Sequence, residues 1–326
     1  MTRLSRSLAA LLALAATGPC VGQGMYGGGG GGADPATIAA NAGLQIERDR
    51  PVSYALAEHR RLTRALATVG PGKPGVVDAF VVAIALDSDP VFGREAREAA
   101  RVLSRRYNAA GRTLVLAGDD RRGESSLPMG SPFNINAALA RVAEQMNRPE
   151  DVLILYTTSH GAPYGIAYKD GDQGAGAISP QRLAATLREL GIKRRLIMIS
   201  ACYSGVFIQP LASPDTAIAT AASSDKPSFG CFSDNDWTFF GDALINHALR
   251  KPTRFAPAVD EARKEIAGWE AREKLDPSQP SVLIGGNVDT WLAPLEARIP
   301  AGATKPVGRP SAESLTKLQE LRRERR

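Results

Sequence analysis

The chain has 326 residues, of which 44% are apolar and 23% charged, and its formal net charge is +6. That length supports one large domain or two small ones with a full core. The positive excess is interspersed, and no basic stripe carries interleaved aromatics, so the sequence does not support nucleic-acid binding.

Arg3 and Arg6 precede a short apolar run, Leu8 to Ala16. The run is too short to span a bilayer and reads as the core of a signal peptide over residues 1–23. No later run reaches spanning length, so the expectation is an exported protein, periplasmic or secreted, without stable membrane insertion. Cys20 offers a second reading, a lipid anchor, against which Pro19 occupies a place where such sites want a small residue. Residues 24–35 read as a glycine-rich linker. Residues 36–75 read as a helical segment, broken at Gly70-Pro71-Gly72.

A regular alternation follows. Val76 to Leu86 is β-branched and apolar, as expected of a buried strand. Arg94 to Tyr107 predicts a helix with Ala96, Ala100, Leu103 and Tyr107 on one face. Thr113 to Ala117 is a second strand, Asn134 to Met146 a second helix, and Asp151 to Tyr156 a third strand. Ser179-Pro180 opens a helix, because serine can cap and proline suits the first turn. Gly191 ends it. Arg195 to Ser200 is the fourth strand, with Thr216 to Thr220 and Ser281 to Ile284 as further candidates. Such alternation implies a mostly parallel sheet with helices on both faces. There is no internal repeat. There is no G-x-G-x-x-G after the first strand, no P-loop, no G-x-S-x-G and no H-E-x-x-H, which removes the commonest nucleotide, serine-hydrolase and zinc readings.

Two strand ends carry chemistry. Ser159-His160-Gly161 follows one apolar run and Ser200-Ala201-Cys202-Tyr203-Ser204-Gly205 follows another. In an open parallel sheet, ligands collect outside the carboxyl ends of the strands. A histidine and a cysteine meeting there make a thiol nucleophile with a proton carrier. The chemistry is acyl transfer: Cys202 attacks a peptide carbonyl and His160 protonates the leaving amine. The backbone N–H groups of Gly161 and Cys202 hold the oxyanion, and water releases the acyl-enzyme. An exported protein sees oxidising conditions, and a structural Cys202–Cys231 disulfide is the competing expectation. The two are exclusive in the resting state.

The two phrases resemble the His-Gly and Ala-Cys signatures of the caspase–legumain clan, and most closely the legumain-like C13 cysteine peptidases of bacterial type. Ser228-Phe229-Gly230-Cys231 and Asp236-Trp237-Thr238-Phe239-Phe240-Gly241-Asp242 resemble a third segment of that family. The resemblance spans about residues 76–250. It implies an α/β fold, the caspase–haemoglobinase three-layer sandwich with a mostly parallel six-stranded sheet, over a peptidase domain at residues 76–290. Residues 291–326 are then a C-terminal linker and basic helical tail. It implies cysteine endopeptidase activity on a peptide or protein substrate, with no metal and no organic cofactor. It suggests His160 and Cys202 as the dyad, and Ser200, Asp242, Arg94 and Ser228 as substrate-binding positions. Ser200 stands where legumains carry a pocket acid, which leaves side-chain preference open. The same dyad also suits a transpeptidase. A non-catalytic binding protein on the same fold is the reading from a different class. His59 and His247 lack companions at metal-ligand spacing. Asp170-Gly171-Asp172 lacks the later acid of a calcium loop and is expected to be a loop over the site.

Overall fold

The computed structural model describes residues 34–118 and 125–313. The expected signal peptide, most of the glycine-rich linker and the basic end of the tail lie outside the described residues. In chain order the first elements are α1 (Pro35–Ala42), β1 (Gln45–Glu47), α2 (Val52–Ala67), β2 (Ala79–Ala85), α3 (Pro90–Arg106), β3 (Thr113–Leu116) and α4 (Pro132–Gln145). Then come β4 (Val152–Thr158), β5 (Gly161–Ala162), β6 (Gly165–Asp170), β7 (Gly174–Ile178), α5 (Pro180–Glu189) and β8 (Arg195–Ser200). A 3₁₀ turn (Ser204–Phe207) leads to α6 (Ile208–Leu211), β9 (Thr216–Thr220), a π-helix (Gly241–His247), α7 (Phe255–Arg272), β10 (Ser281–Ile284) and α8 (Val288–Glu296).

Six strands form one sheet in the order β10-β9-β8-β4-β2-β3. Every pair is parallel except β10 with β9 at the edge. β2, β4, β8 and β9 are buried along their whole length, which is why they read as continuous apolar runs. Alternate residues divide between two cores, as a period of two requires. Val81, Ile154, Tyr156 and Met198 pack with α3, the π-helix, α7 and α8. Phe80, Val82, Leu155 and Ile197 pack with α4, α5 and α6. The result is the expected three-layer α/β sandwich with a mostly parallel six-stranded sheet.

Several boundaries differ from the sequence reading. α3 starts at Pro90, four residues before the expected Arg94, because Pro90 suits the first turn of a helix. α5 is capped as expected, with Ser179 Oγ accepting the Arg182 N–H at 3.1 Å. Residues 36–75 are not simply helical: β1 interrupts them and pairs with β7 in a second sheet, β1-β7-β6-β5. Part of the expected C-terminal linker belongs to the main core, where Trp291, Leu292, Leu295 and Ala312 are buried. Asp170-Gly171-Asp172 forms the turn between β6 and β7, and Ser88 Oγ accepts the Gly171 N–H at 3.0 Å.

Candidate active site

β2, β4 and β8 are neighbours in the sheet and run parallel, so their carboxyl ends share one edge. The pairing reaches Thr158 opposite Ser200, and Ser159 N–H then donates to Ser200 O at 3.1 Å. His160 and Cys202 lie just past these ends. Gly161 fixes their relation. A Cβ built on it would fall on the Cys202 carbonyl oxygen and lie 3.0 Å from Ala201 Cβ. Only glycine lets the two backbones approach this closely.

Cys202 is a free thiol, so the disulfide with Cys231 does not form. Its Sγ accepts the Ser228 N–H at 3.2 Å and lies 3.5 Å from Ser228 O. The residue is only half-buried, but the thiol itself is enclosed, and burial pushes its pKa up; hydrogen bonds from Ser228 oppose that shift. Burial therefore disfavours the thiolate in the resting site. The next residue, Tyr203, has φ 57° and ψ 14° and begins the sharp turn into the 3₁₀ segment. A left-handed conformation costs a non-glycine residue about 1 kcal/mol or more. The Tyr203 N–H donates to Lys226 O at 2.8 Å, which anchors this turn beside the Ser228 segment.

His160 is about one-third exposed, and its ring packs edge-on against Phe92 at 5.1 Å. Its Nε2 lies 3.7 Å from Asp89 Oδ2 and 4.0 Å from Asp87 Oδ2. Asp87 is buried, and desolvation raises its pKa against the opposing charge of His160. Asp87 Oδ1 accepts the Asp89 N–H at 2.8 Å. Asp89 is the N-cap residue of α3, yet its side chain makes no capping bond and lies beside His160 instead. A parallel bridge between Asp87 and Lys169, with Ser88 N–H donating to Lys169 O at 3.0 Å, ties this loop to β6.

Sequence reasoning missed Asp87 and Asp89. The signal was present: Leu86-Asp87-Ser88-Asp89-Pro90 follows a buried strand as His160 and Cys202 do. It was not used because the adjacency of β2 to β4 is a matter of strand order, which chain order does not state.

Of the four expected substrate-binding residues, Ser228 borders the thiol. The other three lie as follows. Ser200 is buried within β8, and its hydroxyl bonds Thr238 Oγ1 at 2.9 Å. Asp242 is fully buried in the π-helix, where its carboxylate accepts from Asn246 Nδ2 at 2.8 Å and from Ser311 N–H at 2.7 Å. Arg94 pairs with Asp236 at 3.2 Å and donates to the carbonyls of Ser233 and Asn235. These side chains hold the segment after β9 in place; their polar atoms are engaged inside the protein. Beneath them, buried Glu95 accepts from Tyr156 OH at 2.5 Å and from Thr238 N–H at 2.7 Å. Gly241 makes room for that carboxylate, since a Cβ there would collide with it.

The α/β sandwich thus carries a histidine and a free cysteine at one carboxyl edge of its sheet. Residues 135–285 match the model of the Peptidase C13 family. That match supports a cysteine-peptidase type of function acting on peptides or proteins. No curated protein matches the chain. Among solved structures it is similar to caspase-1 from Spodoptera frugiperda, at 15% identity and a TM-score of 0.44, with 64% of this chain and 86% of that chain covered. Among the described residues, no helix is long and apolar enough to cross a membrane.

Proposed function

We propose that this chain is an exported cysteine endopeptidase that cleaves peptide bonds through a thioacyl intermediate on Cys202. The observation that carries this reading is the packing of Gly161 against the Cys202 carbonyl, which joins the two strand ends bearing His160 and the free thiol. When a peptide carbonyl arrives, His160 takes the thiol proton and Sγ attacks the carbonyl carbon. The oxyanion faces the N–H groups of Gly161 and Cys202. Collapse expels the amine, which takes the proton from His160. Water, deprotonated by the same imidazole, then hydrolyses the thioester.

A raised thiol pKa fits this order of events, because proton transfer accompanies attack instead of preceding it. Asp87 and Asp89 set negative charge beside the ring, where the captured proton creates positive charge. They act as positioning residues, in the manner of the third group that orients a catalytic base. Export is supported by the composition of residues 1–23.

The test is a peptide library incubated with reduced protein, beside Cys202→Ala and His160→Ala. Cleavage by the wild type, lost in both variants, is the expected result, and the cut sites give the side-chain preference. Cleavage that survives in Cys202→Ala refutes the assignment of the nucleophile. Intact mass of the protein recovered from an exporting host tests removal of residues 1–23.

A further inference from the structure

Asp87, Asp89 and His160 converge from two loops at the carboxyl edge. One ligand atom from each lies within 4.8 Å of the others. A cluster of this kind gains meaning from the state of Asp87. Its residue is 2% exposed, its Oδ1 is held by the Asp89 N–H, and its Oδ2 accepts no hydrogen bond among the described residues. A carboxylate oxygen enclosed without a donor is costly and marks a place where a cation would be favoured. That oxygen faces His160 Nε2.

We propose that Asp87 Oδ2, Asp89 Oδ2 and His160 Nε2 form a binding site for one divalent cation of the zinc type. Two carboxylates and one imidazole make a three-ligand set with a further position for water, as in open zinc sites. Calcium and magnesium prefer six or more oxygen ligands, which this set does not offer. The Nε2–Oδ2 separations are 3.7 and 4.0 Å. Tetrahedral zinc at about 2.0–2.1 Å from its ligands places them about 3.3 Å apart, so the two imidazole–carboxylate separations need to close by under about 1 Å. His160 and Asp89, the two more exposed members, are the groups able to move inward. The least mobile member is braced: Asp87 is fixed by the Asp89 N–H and by its bridge to Lys169.

The site itself stands apart from the peptidase reading. Its consequence rests on that reading: a cation on Nε2 takes the neutral imidazole's one lone pair and leaves the proton on Nδ1, so the ring cannot accept the Cys202 proton. Cleavage then stops until the cation leaves, which makes the site an off-switch set by free zinc.

The decisive measurement uses zinc chloride and the Cys202→Ala protein, in which the thiol cannot serve as a ligand. Calorimetry should show one zinc per chain. Asp89→Asn and Asp87→Asn, each combined with Cys202→Ala, should weaken binding at least about tenfold. Circular dichroism verifies that each variant is folded, and Asp89→Asn, at the more accessible position, keeps the test usable if Asp87→Asn unfolds. Zinc should also inhibit wild-type cleavage, reversibly by chelator. Loss of binding on Cys202→Ala alone would make the thiol the ligand and overturn the proposal, as would unchanged affinity in Asp89→Asn. One-to-one zinc binding in a protein that cleaves no peptide would leave the metal site standing and remove the peptidase reading.

Discussion

Gly161→Ala tests the contact on which the site depends. Gly161 is not among the positive-φ glycines, so the constraint is space, not backbone conformation. An added methyl would overlap the Cys202 carbonyl oxygen and approach Cys202 C and Ala201 Cβ at 3.0 Å. The obstacle is largely main chain, held by strands β4 and β8 at the centre of the sheet. Overpacking of this kind costs about 1–3 kcal/mol. A domain with about 5–15 kcal/mol of stability stays folded under that load. Relief requires the loop after β4 to move away from Cys202 by on the order of 1 Å, and such misplacement costs about 10²-fold in rate. The assay is kcat/KM on the best library peptide, with a urea midpoint on the same samples. The account expects a roughly hundredfold loss of activity with a modest fall in midpoint. Gly268→Ala, in α7 with nothing within 4 Å, is the control and should be stabilised by up to about 1 kcal/mol with activity unchanged. Wild-type activity in Gly161→Ala would refute the contact.

Three further outcomes are expected. Glu95→Ala leaves the Tyr156 hydroxyl and the Thr238 N–H without their buried acceptor and should cost roughly 2–5 kcal/mol by urea denaturation; a loss below about 1 kcal/mol would mean that the pair is solvated. His247 has its pKa raised, first by its hydrogen bond to Glu265 at 2.7 Å and then by Asp242, against partial burial. Its stabilising contribution is therefore complete below the unfolded value near about 6.5 and is lost as pH rises through the higher folded value. His247→Gln should accordingly flatten the alkaline side of the stability profile, and an unchanged profile would contradict the pairing. The enclosed Cys202 thiol should alkylate with iodoacetamide at a rate still rising above about pH 8.5, the ordinary thiol pKa; a plateau below neutral pH would show a thiolate preformed at rest.

The sheet was legible because its four central strands are buried on both faces and so stand out as unbroken apolar runs. Strand ends holding His160 and Cys202 were legible for the same reason. The second sheet was not, since Gly174-Ala175-Gly176-Ala177 carries almost no side chain to signal a strand. Its pairing with Gln45–Glu47 joins segments more than a hundred residues apart. Strand order hid Asp87 and Asp89, whose loop precedes the histidine by some seventy residues yet lies against it. The surroundings of Asp242 were not legible, because an acid in such a segment reads the same whether it faces a pocket or an internal network; its bonds to Asn246 and Ser311 show the internal partners.

The central claim is that His160 and Cys202 act as one unit. A double-mutant cycle in kcat/KM tests it most directly, with His160→Ala, Cys202→Ala and the double variant measured on one cleaved peptide. The account predicts that Cys202→Ala alone lowers the rate by about 10⁴-fold or more and that adding His160→Ala lowers it little further. Two losses that multiply in the double variant would show that the groups act independently and would contradict the dyad.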